Sequence, residues 1–493
     1  MTTGDLPVVG AFVDGLRITT RDTLVSLDPS TGLPCARVSR CGPAEVDHAV
    51  TAARTAYEGV WRRTTAAERA SACRAVAAIL HAHRRELAEL ECLDTGKPIG
   101  QAYTDADVAA RYFAYYAGTV EALFGQTLLN HPDLLAYTLP EPHGVCGHII
   151  PWNYPMQITA RTLAPALAAG NTCVLKPAED ACLTPVRIVE LAHEAGLPPG
   201  VLNVVPGTGA QAGAALAAHP DIDHLAFTGS RATGQAVMIA AARTIVPVTL
   251  ELGGKSPHLV FPDYDPASAV PLIVASITEH AGQNCSAGSR VLVHRDVHAQ
   301  LSAAVARAFT ALRIGPGTTD PDLGPLISAR QRATVLGHID AGRTCARLVT
   351  GGRVPDAPQL RGGFFVEPTL FDDVPPDAAI ARREIFGPVL CMTAFDSAAE
   401  AVALANATTY GLSAGVWTRD VGLAHALARE LRVSQVFVNN YSAAGGVELP
   451  FGGYRQSGFG REKGFAALLE YTRVKAVAIR VDGDLFLPGG SSG

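Results

Sequence analysis

Five short apolar runs, VCGHII (145–150), TCVLK (172–176), VLNVV (201–205), HLAFTG (224–229) and VTLEL (248–252), alternate with Ala-rich helical stretches between residues 143 and 260. Strands that alternate with helices of this length close as a parallel sheet covered by those helices. The same rhythm recurs from 270 to 440, where VLVH (291–294), LVTG (348–351), LCMTAF (390–395), AGVWT (414–418) and QVFVN (435–439) are the candidate strands. The pattern predicts an α/β protein with two doubly wound parallel-sheet domains.

Outside these two regions the patterns change. Residues 44–93 read as long amphipathic helices closing on Gly96, a glycine stop, and this region is packing rather than chemistry. LLAYTLPEP (134–142) and VKAVAIRV (474–481) alternate like strands outside both domains, so each needs a partner, either the other or a second subunit. The terminal LPGGSSG reads as a flexible tail. There is no internal sequence repeat.

Composition removes several classes of function. At 493 residues the chain is larger than one domain, and 48% apolar against 17% charged residues describes a well-buried globular protein. Its 40 basic and 46 acidic side chains leave a net charge of −6, which offers no basic surface to nucleic acid. The N-terminal stretch carries Asp5 and Asp14 and no basic segment, unlike a secretory signal. The longest membrane-like stretch, 162–175, is bracketed by Arg161 and Lys176 and is too short for a bilayer. Ten cysteines show neither a CxxC pair nor Cys/His metal spacing, which reads as reduced thiols in a cytoplasmic protein. Only five lysines occur, Lys97, Lys176, Lys255, Lys463 and Lys475, so each is worth examining where an ammonium is needed.

Two familiar patterns fail in context. GGKS (253–256) lacks the leading glycine of a phosphate loop, which falls on Thr249. GLSAG (411–415) fits the nucleophile-elbow expression, but a helical pattern precedes it and a strand follows, the reverse of a serine hydrolase. Gly207, Gly209 and Gly213 after one strand, and Gly229, Ser230 and Gly234 after the next, are individually plain turns. In succession they favour a dinucleotide, because helix N-termini attract pyrophosphate. LKPAE (175–179) adds a third strand end, with a helix expected from Pro177 and with Lys176 and Glu179 able to bind ribose hydroxyls.

GQNCSAGSR (282–290) is the most informative stretch. Gly282 and Gly288 strip bulk from the backbone around Cys285, leaving room for a substrate, and a thiolate there can attack a carbonyl while its own N–H holds the oxyanion. Glu251 sits in apolar VTLEL just before a glycine pair, where burial raises a carboxyl pKa as a general base requires. PWNYP (151–155) fixes Asn153 between prolines as a second oxyanion donor.

Taken together, PWNYP, LKPAE, FTGSRATG, LELGGKSP, GQNCSAGSR, EIFGPV and PFGGYRQSGFGREKG resemble the aldehyde dehydrogenase superfamily, in order, from about residue 20 to 480. The resemblance implies a Rossmann-like cofactor domain (1–123 and 143–253), a catalytic domain (254–453), and a small β oligomerisation arm with tail (124–142 and 471–493). It implies oxidation of an aldehyde to its acid with NAD: Cys285 forms a thiohemiacetal and then a thioester, Asn153 holds the alkoxide, and Glu251 activates the hydrolytic water. It places Ile150, Pro151, Trp152, Lys176, Glu179, Gly209, Gly229, Ser230, Gly234, Leu252, Glu384 and Phe386 at the cofactor. It places Tyr154, Arg161 and Asn284 along the substrate tunnel. Glu179 favours NAD over NADP, no metal is required for the chemistry, and the partners are a small-molecule aldehyde and further copies in a homodimer or homotetramer.

The chain also departs from that family. Nine residues after Asn153, where many hydrolytic members carry a Lys that helps a proton leave, stands Thr162, so a relay would run through water and Glu470. Arg161 replaces an aromatic and is either a surface residue or the receiver of a substrate carboxylate, though Glu279 stands where semialdehyde dehydrogenases use a second Arg. YSAAGG (441–446) lacks the aromatics of a trimethylammonium cage, which argues against betaine aldehyde. Two rivals remain, a coenzyme A-acylating dehydrogenase and a catalytically silent binding protein on the same fold. Glu251 opposes the first, and the presence of Cys285, Asn153 and Glu251 opposes the second.

Overall fold

The computed structural model describes residues 6–129, 131, 133–442 and 446–481. Asp5, residues 443–445 of the YSAAGG loop and the LPGGSSG tail lie outside the described residues. All five runs of the opening stretch are strands: Val145–Ile149, Thr172–Lys176, Leu202–Val204, His224–Gly229 and Val248–Leu252. They are mutually parallel. The chain starts at Val145–Ile149, builds two strands to one side, then returns to add His224–Gly229 and Val248–Leu252 on the other. This reversal opens a crevice between Val145–Ile149 and His224–Gly229, at the carboxyl edge where ligands of doubly wound sheets bind. The hairpin Ala11–Val13/Leu16–Ile18 extends one edge of the sheet, and the two-residue strand Gly458–Phe459 closes the other, antiparallel to Val248–Leu252.

The second sheet runs in the order Arg347–Thr350, Thr369–Asp372, Val389–Phe395, Arg290–His294, Pro257–Val260, Ser413–Trp417, Gln435–Val438. All its pairings are parallel except that of Arg347–Thr350, so the LVTG run is an antiparallel edge. Pro257–Val260 and Thr369–Asp372 escape the sequence reading because four-residue runs interrupted by His258 or ending in Asp372 carry little pattern. LLAYTLPEP pairs antiparallel with Thr472–Arg480 along its whole length, so the two isolated strands are each other's neighbours.

A helical layer of Ala66–Ala82, Ile99–Thr119 and Pro155–Ala169 shares one core with the first sheet, built on Tyr112, Phe113, Tyr116, Leu163 and Leu167. Pro155–Ala169 is wedged so deeply that every residue but Gln157 is buried, which explains the membrane-like composition after Arg161. Among the described residues no helix is long and apolar enough to cross a membrane. Gly96, at φ 71°, ends the helix Arg84–Thr95 as anticipated. Pro177 does not begin a helix: the chain turns through 177–182 and the next helix is Leu183–Glu194, which leaves Lys176 and Glu179 on a loop at the sheet edge.

Candidate active site

The carboxyl edge of the first sheet collects the residues expected at a cofactor. The Ile150 N–H donates to the Lys176 carbonyl (3.1 Å), holding Ile150, Pro151 and Trp152 beside the end of Thr172–Lys176. Lys176 is buried, and its Nζ lies 3.3 Å from Glu179 Oε2 on the loop outside. Gly209 opens a π-helical turn, where an added Cβ would meet nothing within 4 Å. Ser230 caps the helix Arg231–Ala242 by accepting from the Thr233 N–H (3.3 Å), so that helix presents its N-terminus beside Gly229. Gly234 is glycine for a packing reason: a Cβ would approach Leu252 Cδ2 to 2.7 Å.

Glu384 and Phe386 reach this edge from the second sheet's side. Glu384 Oε1 accepts from the Gly254 N–H (3.2 Å), and burial pushes its carboxyl up to about 7. A Cβ on Gly253 would stand 1.9 Å from Glu384 Oε2, so only glycine admits this carboxylate. Phe386 has φ 58° and is held by Gln331 Nε2 donating to its carbonyl (2.8 Å), with its ring edge-on to Trp152 at 5.2 Å. An acceptor and an ammonium, a helix N-terminus, an open glycine turn and an aromatic wall make a cradle that fits a dinucleotide.

Glu251 lies on the last parallel strand, 2% exposed, with neither carboxylate oxygen hydrogen-bonded. Burial, reinforced by the nearby Glu462, holds its carboxyl well above the usual range. The loop of Cys285 is fixed by an Asx turn in which Asn284 Oδ1 accepts from the Ser286 N–H and Oγ, both at 3.0 Å. The Cys285 N–H donates to no acceptor among the described residues. Burial pushes the thiol up to about 12, while Arg161 and Lys463 oppose that rise. Asn153 Nδ2 donates to the Gln283 carbonyl (2.8 Å), and Gln283 is itself locked by accepting from the Ile327 N–H (2.9 Å) and donating to the His280 carbonyl (3.1 Å). One amide hydrogen of Asn153 is thereby used to aim the other.

The flanking glycines have a different purpose from the one expected. A Cβ on Gly282 would strike the Gly387 carbonyl oxygen at 2.4 Å, and one on Gly288 would strike His258 Nε2 at 2.1 Å. At these two positions the missing side chain makes way for protein, Gly387 and His258, and not for a substrate. Before them His280, Ala281 and Gly282 take three consecutive positive φ values (47°, 54° and 72°), a strained turn that presents Cys285. Of the expected tunnel residues, Tyr154 accepts from Asn284 Nδ2 (3.4 Å), and Lys97 Nζ lies 4.3 Å from its ring centroid.

Arg161 is not a surface residue. It is buried and ion-paired with Glu462, with its Cζ 5.2 Å from the Phe451 ring centroid. Thr162 faces elsewhere, its hydroxyl bonded to His148 Nδ1 (2.7 Å) and Tyr471 OH (2.8 Å). Glu470, the expected relay residue, is half-buried, with its carboxyl near Arg461. It ends the short helix Gly464–Glu470, and its carbonyl oxygen is engaged by His143 Nε2. Glu462 is the late carboxylate that faces Glu251. Glu462, Lys463 and Phe451 were within reach of sequence reading, since all three belong to the quoted PFGGYRQSGFGREKG. Lys463 adopts φ 62°, ψ 164°, a region almost reserved for glycine and costing on the order of 1–3 kcal/mol.

This architecture, a cradle at a switch point beside a cysteine, an unpaired carboxyl and an aimed amide, has the form of a nicotinamide-dependent oxidoreductase. The aldehyde dehydrogenase family model matches residues 18–477. Betaine aldehyde dehydrogenase of Bacillus subtilis is 41% identical over 472 residues, covering 94% of this chain and 96% of that protein. Hydroxyisobutyraldehyde dehydrogenase of Mycolicibacterium austroafricanum is 42% identical over 466 residues, 93% of this chain and 91% of that one. The NAD+ complex of aldehyde dehydrogenase from Bacillus cereus superposes with a TM-score of 0.94 at 41% identity, covering 96% and 97% of the two chains. The chain belongs to the aldehyde dehydrogenase family, and its activity is the NAD-dependent oxidation of an aldehyde.

Proposed function

We propose that Cys285 is the nucleophile, Glu251 the general base of hydrolysis, and Asn153 with the Cys285 N–H the oxyanion donors. Sγ bonds to the aldehyde carbon while its proton leaves to solvent, and the alkoxide of the thiohemiacetal sits against the Asn153 amide and the backbone N–H. NAD held by the cradle would supply the hydride acceptor as the adduct on Cys285 becomes a thioester. Glu251 then takes a proton from water, which attacks the thioester carbon; the C–S bond breaks, the thiol is restored and the carboxylic acid leaves. Polarisation of the carbonyl by two N–H donors makes a metal unnecessary.

The observation that carries this reading is Glu251: both oxygens are buried without a hydrogen-bond partner among the described residues, and burial holds its carboxyl well above the usual range, as a general base requires. The test is NADH formation across an aldehyde panel. Cys285→Ala should abolish turnover, and Glu251→Gln should leave one burst of NADH per site with little turnover beyond it. Unchanged turnover in Cys285→Ala would overturn the assignment, and an absolute requirement for coenzyme A would overturn the role of Glu251.

For the cofactor, Ile150, Pro151, Trp152, Gly209, Gly229, Ser230, Gly234 and Leu252 would line the adenosine and pyrophosphate, and Glu384 and Phe386 the nicotinamide half. Lys176 and Glu179 would hold the adenine ribose, and the Glu179 carboxylate, repelling a 2′-phosphate, favours NAD over NADP. The working division is a cofactor domain of 1–123 and 143–253, a catalytic domain of 254–453, and an arm and tail of 124–142 and 471–493. Sheet membership supports it, with the addition that Gly458–Phe459 returns to the cofactor sheet. Relatives of equal identity act on different aldehydes, so identity does not name the substrate. Two deep cations near the thiol, Arg161 and Lys463, disfavour a quaternary ammonium aldehyde.

A further inference from the structure

The five lysines of this chain differ in how their charge is used. Lys97 pairs with Glu91 and Asp105, Lys176 with Glu179, and Lys475 with Glu141. Lys255 is sealed in the interior at 2% exposure. Lys463 alone is deep in the active-site region, keeps accessible surface, and has no carboxylate or hydrogen-bond partner among the described residues. Its Nζ lies 5.3 Å from the centroid of the Phe451 ring, the same ring that Arg161 approaches.

Lys463 is also held there against local preference. Glu462 exchanges two backbone hydrogen bonds with Phe451 (2.6 and 2.7 Å) on one side of it, and the Gly464 N–H donates to the Val447 carbonyl (2.7 Å) on the other. These clamps impose the glycine-like conformation at Lys463. An ammonium fixed in a strained position, resting on the Phe451 ring and ion-paired with no carboxylate among the described residues, is preorganised to receive a ligand's charge.

The charged groups that face Lys463 indicate its ligand. Arg161 and Glu462 neutralise each other, and Arg161 retains one guanidinium nitrogen, Nη2, without a hydrogen-bond partner. Glu251 and Cys285 are the reacting groups, and Glu251 has both oxygens unpartnered. Glu279 is exposed, and Lys463 acts on it less than Asp105 and Lys97 do. What is left over is one positive charge and one guanidinium donor across a single phenyl ring. We propose that Lys463 selects an anionic aldehyde, receiving a carboxylate carried at the far end of the substrate from the carbonyl. This rests on the reading of Cys285 and its surroundings as the aldehyde site. Burial, with the nearby Arg161, pushes the ammonium down to about 8, so the charge is present at neutral pH and fades above it.

The experiment compares 5-oxopentanoate with pentanal, equal in chain length, as substrates of the full-length enzyme with NAD. Wild type should favour 5-oxopentanoate by at least about tenfold in kcat/KM, the scale of one charge-assisted hydrogen bond. Lys463→Met should lower the anionic-to-neutral ratio by at least about tenfold, chiefly through KM, and Lys463→Arg should restore most of it. In wild type the KM for 5-oxopentanoate should climb as pH passes about 8 while that for pentanal does not. A wild-type ratio near one, or a ratio that Lys463→Met leaves unchanged, would overturn the proposal. If no aldehyde of either kind yields NADH, it is the assignment of the aldehyde site itself that fails. Should Lys463→Met not fold, inhibition of wild type decides instead: glutarate should compete with pentanal, and absence of competition overturns the assignment.

Discussion

Glu251 has a neighbour that sets its working range. Glu462 adds a negative charge beside an already buried carboxyl, and the two effects together favour the protonated form. A general base must be ionised, so the hydrolytic step should gain rate as pH rises above the usual carboxylate range. Glu462→Gln removes that charge and also releases Arg161 to act on Glu251, both of which stabilise the carboxylate. The acid limb of the kcat profile should therefore move to lower pH, measured in steady state with one aldehyde at saturating NAD; an unmoved or upward-moved limb would refute the coupling. The same geometry explains why the sequence pointed to Glu470. Order along the chain shows that a carboxylate follows the glycine-rich PFGGYRQSGFG, but not which of two glutamates faces inward. That is decided by Glu462 bridging Phe451 through its backbone, a contact invisible before folding.

The loops carry the sharper constraints at the level of elements. Gly253 follows Val248–Leu252 and lies against Glu384, so Gly253→Ala would drive Glu384 off the Gly254 N–H. The expected result is an NAD KM raised by about tenfold, the worth of roughly one charge-assisted hydrogen bond. Steady-state titration of NAD in the variant checks it, and an unchanged KM would remove Glu384 from the cofactor site. Strands such as Thr172–Lys176 were legible because a buried parallel strand must be apolar throughout. The turns were less so. Gly282 and Gly288 mark a tight loop in the sequence, yet whether a glycine makes room for a ligand or for the protein depends on what stands opposite, here Gly387 and His258.

For the whole molecule, the paired strands Leu134–Pro142 and Thr472–Arg480 stand apart from both large sheets and keep apolar side chains in solvent, with Val474 73% exposed. An exposed apolar ribbon of this kind is a surface for a second copy. Light scattering on the full-length protein should give a dimer or tetramer, and deletion of residues 472–481 should reduce its order; a monomeric full-length chain would contradict the arm. Alternation in both strands was readable from sequence, whereas their pairing, joining opposite ends of the chain, was not.

The closure of the first sheet by Gly458–Phe459 also bears on how the protein is made. The cofactor sheet's parallel strands leave the ribosome by Leu252, but Glu251 acquires its edge partner and the charges of Arg461, Glu462 and Lys463 only from the segment 452–463. A nascent or prematurely ended chain can therefore carry the nucleophile and the cofactor edge while lacking the wall that tunes the base. Turnover should therefore wait for the segment 452–463, so fragments ending before it should be inert toward aldehydes.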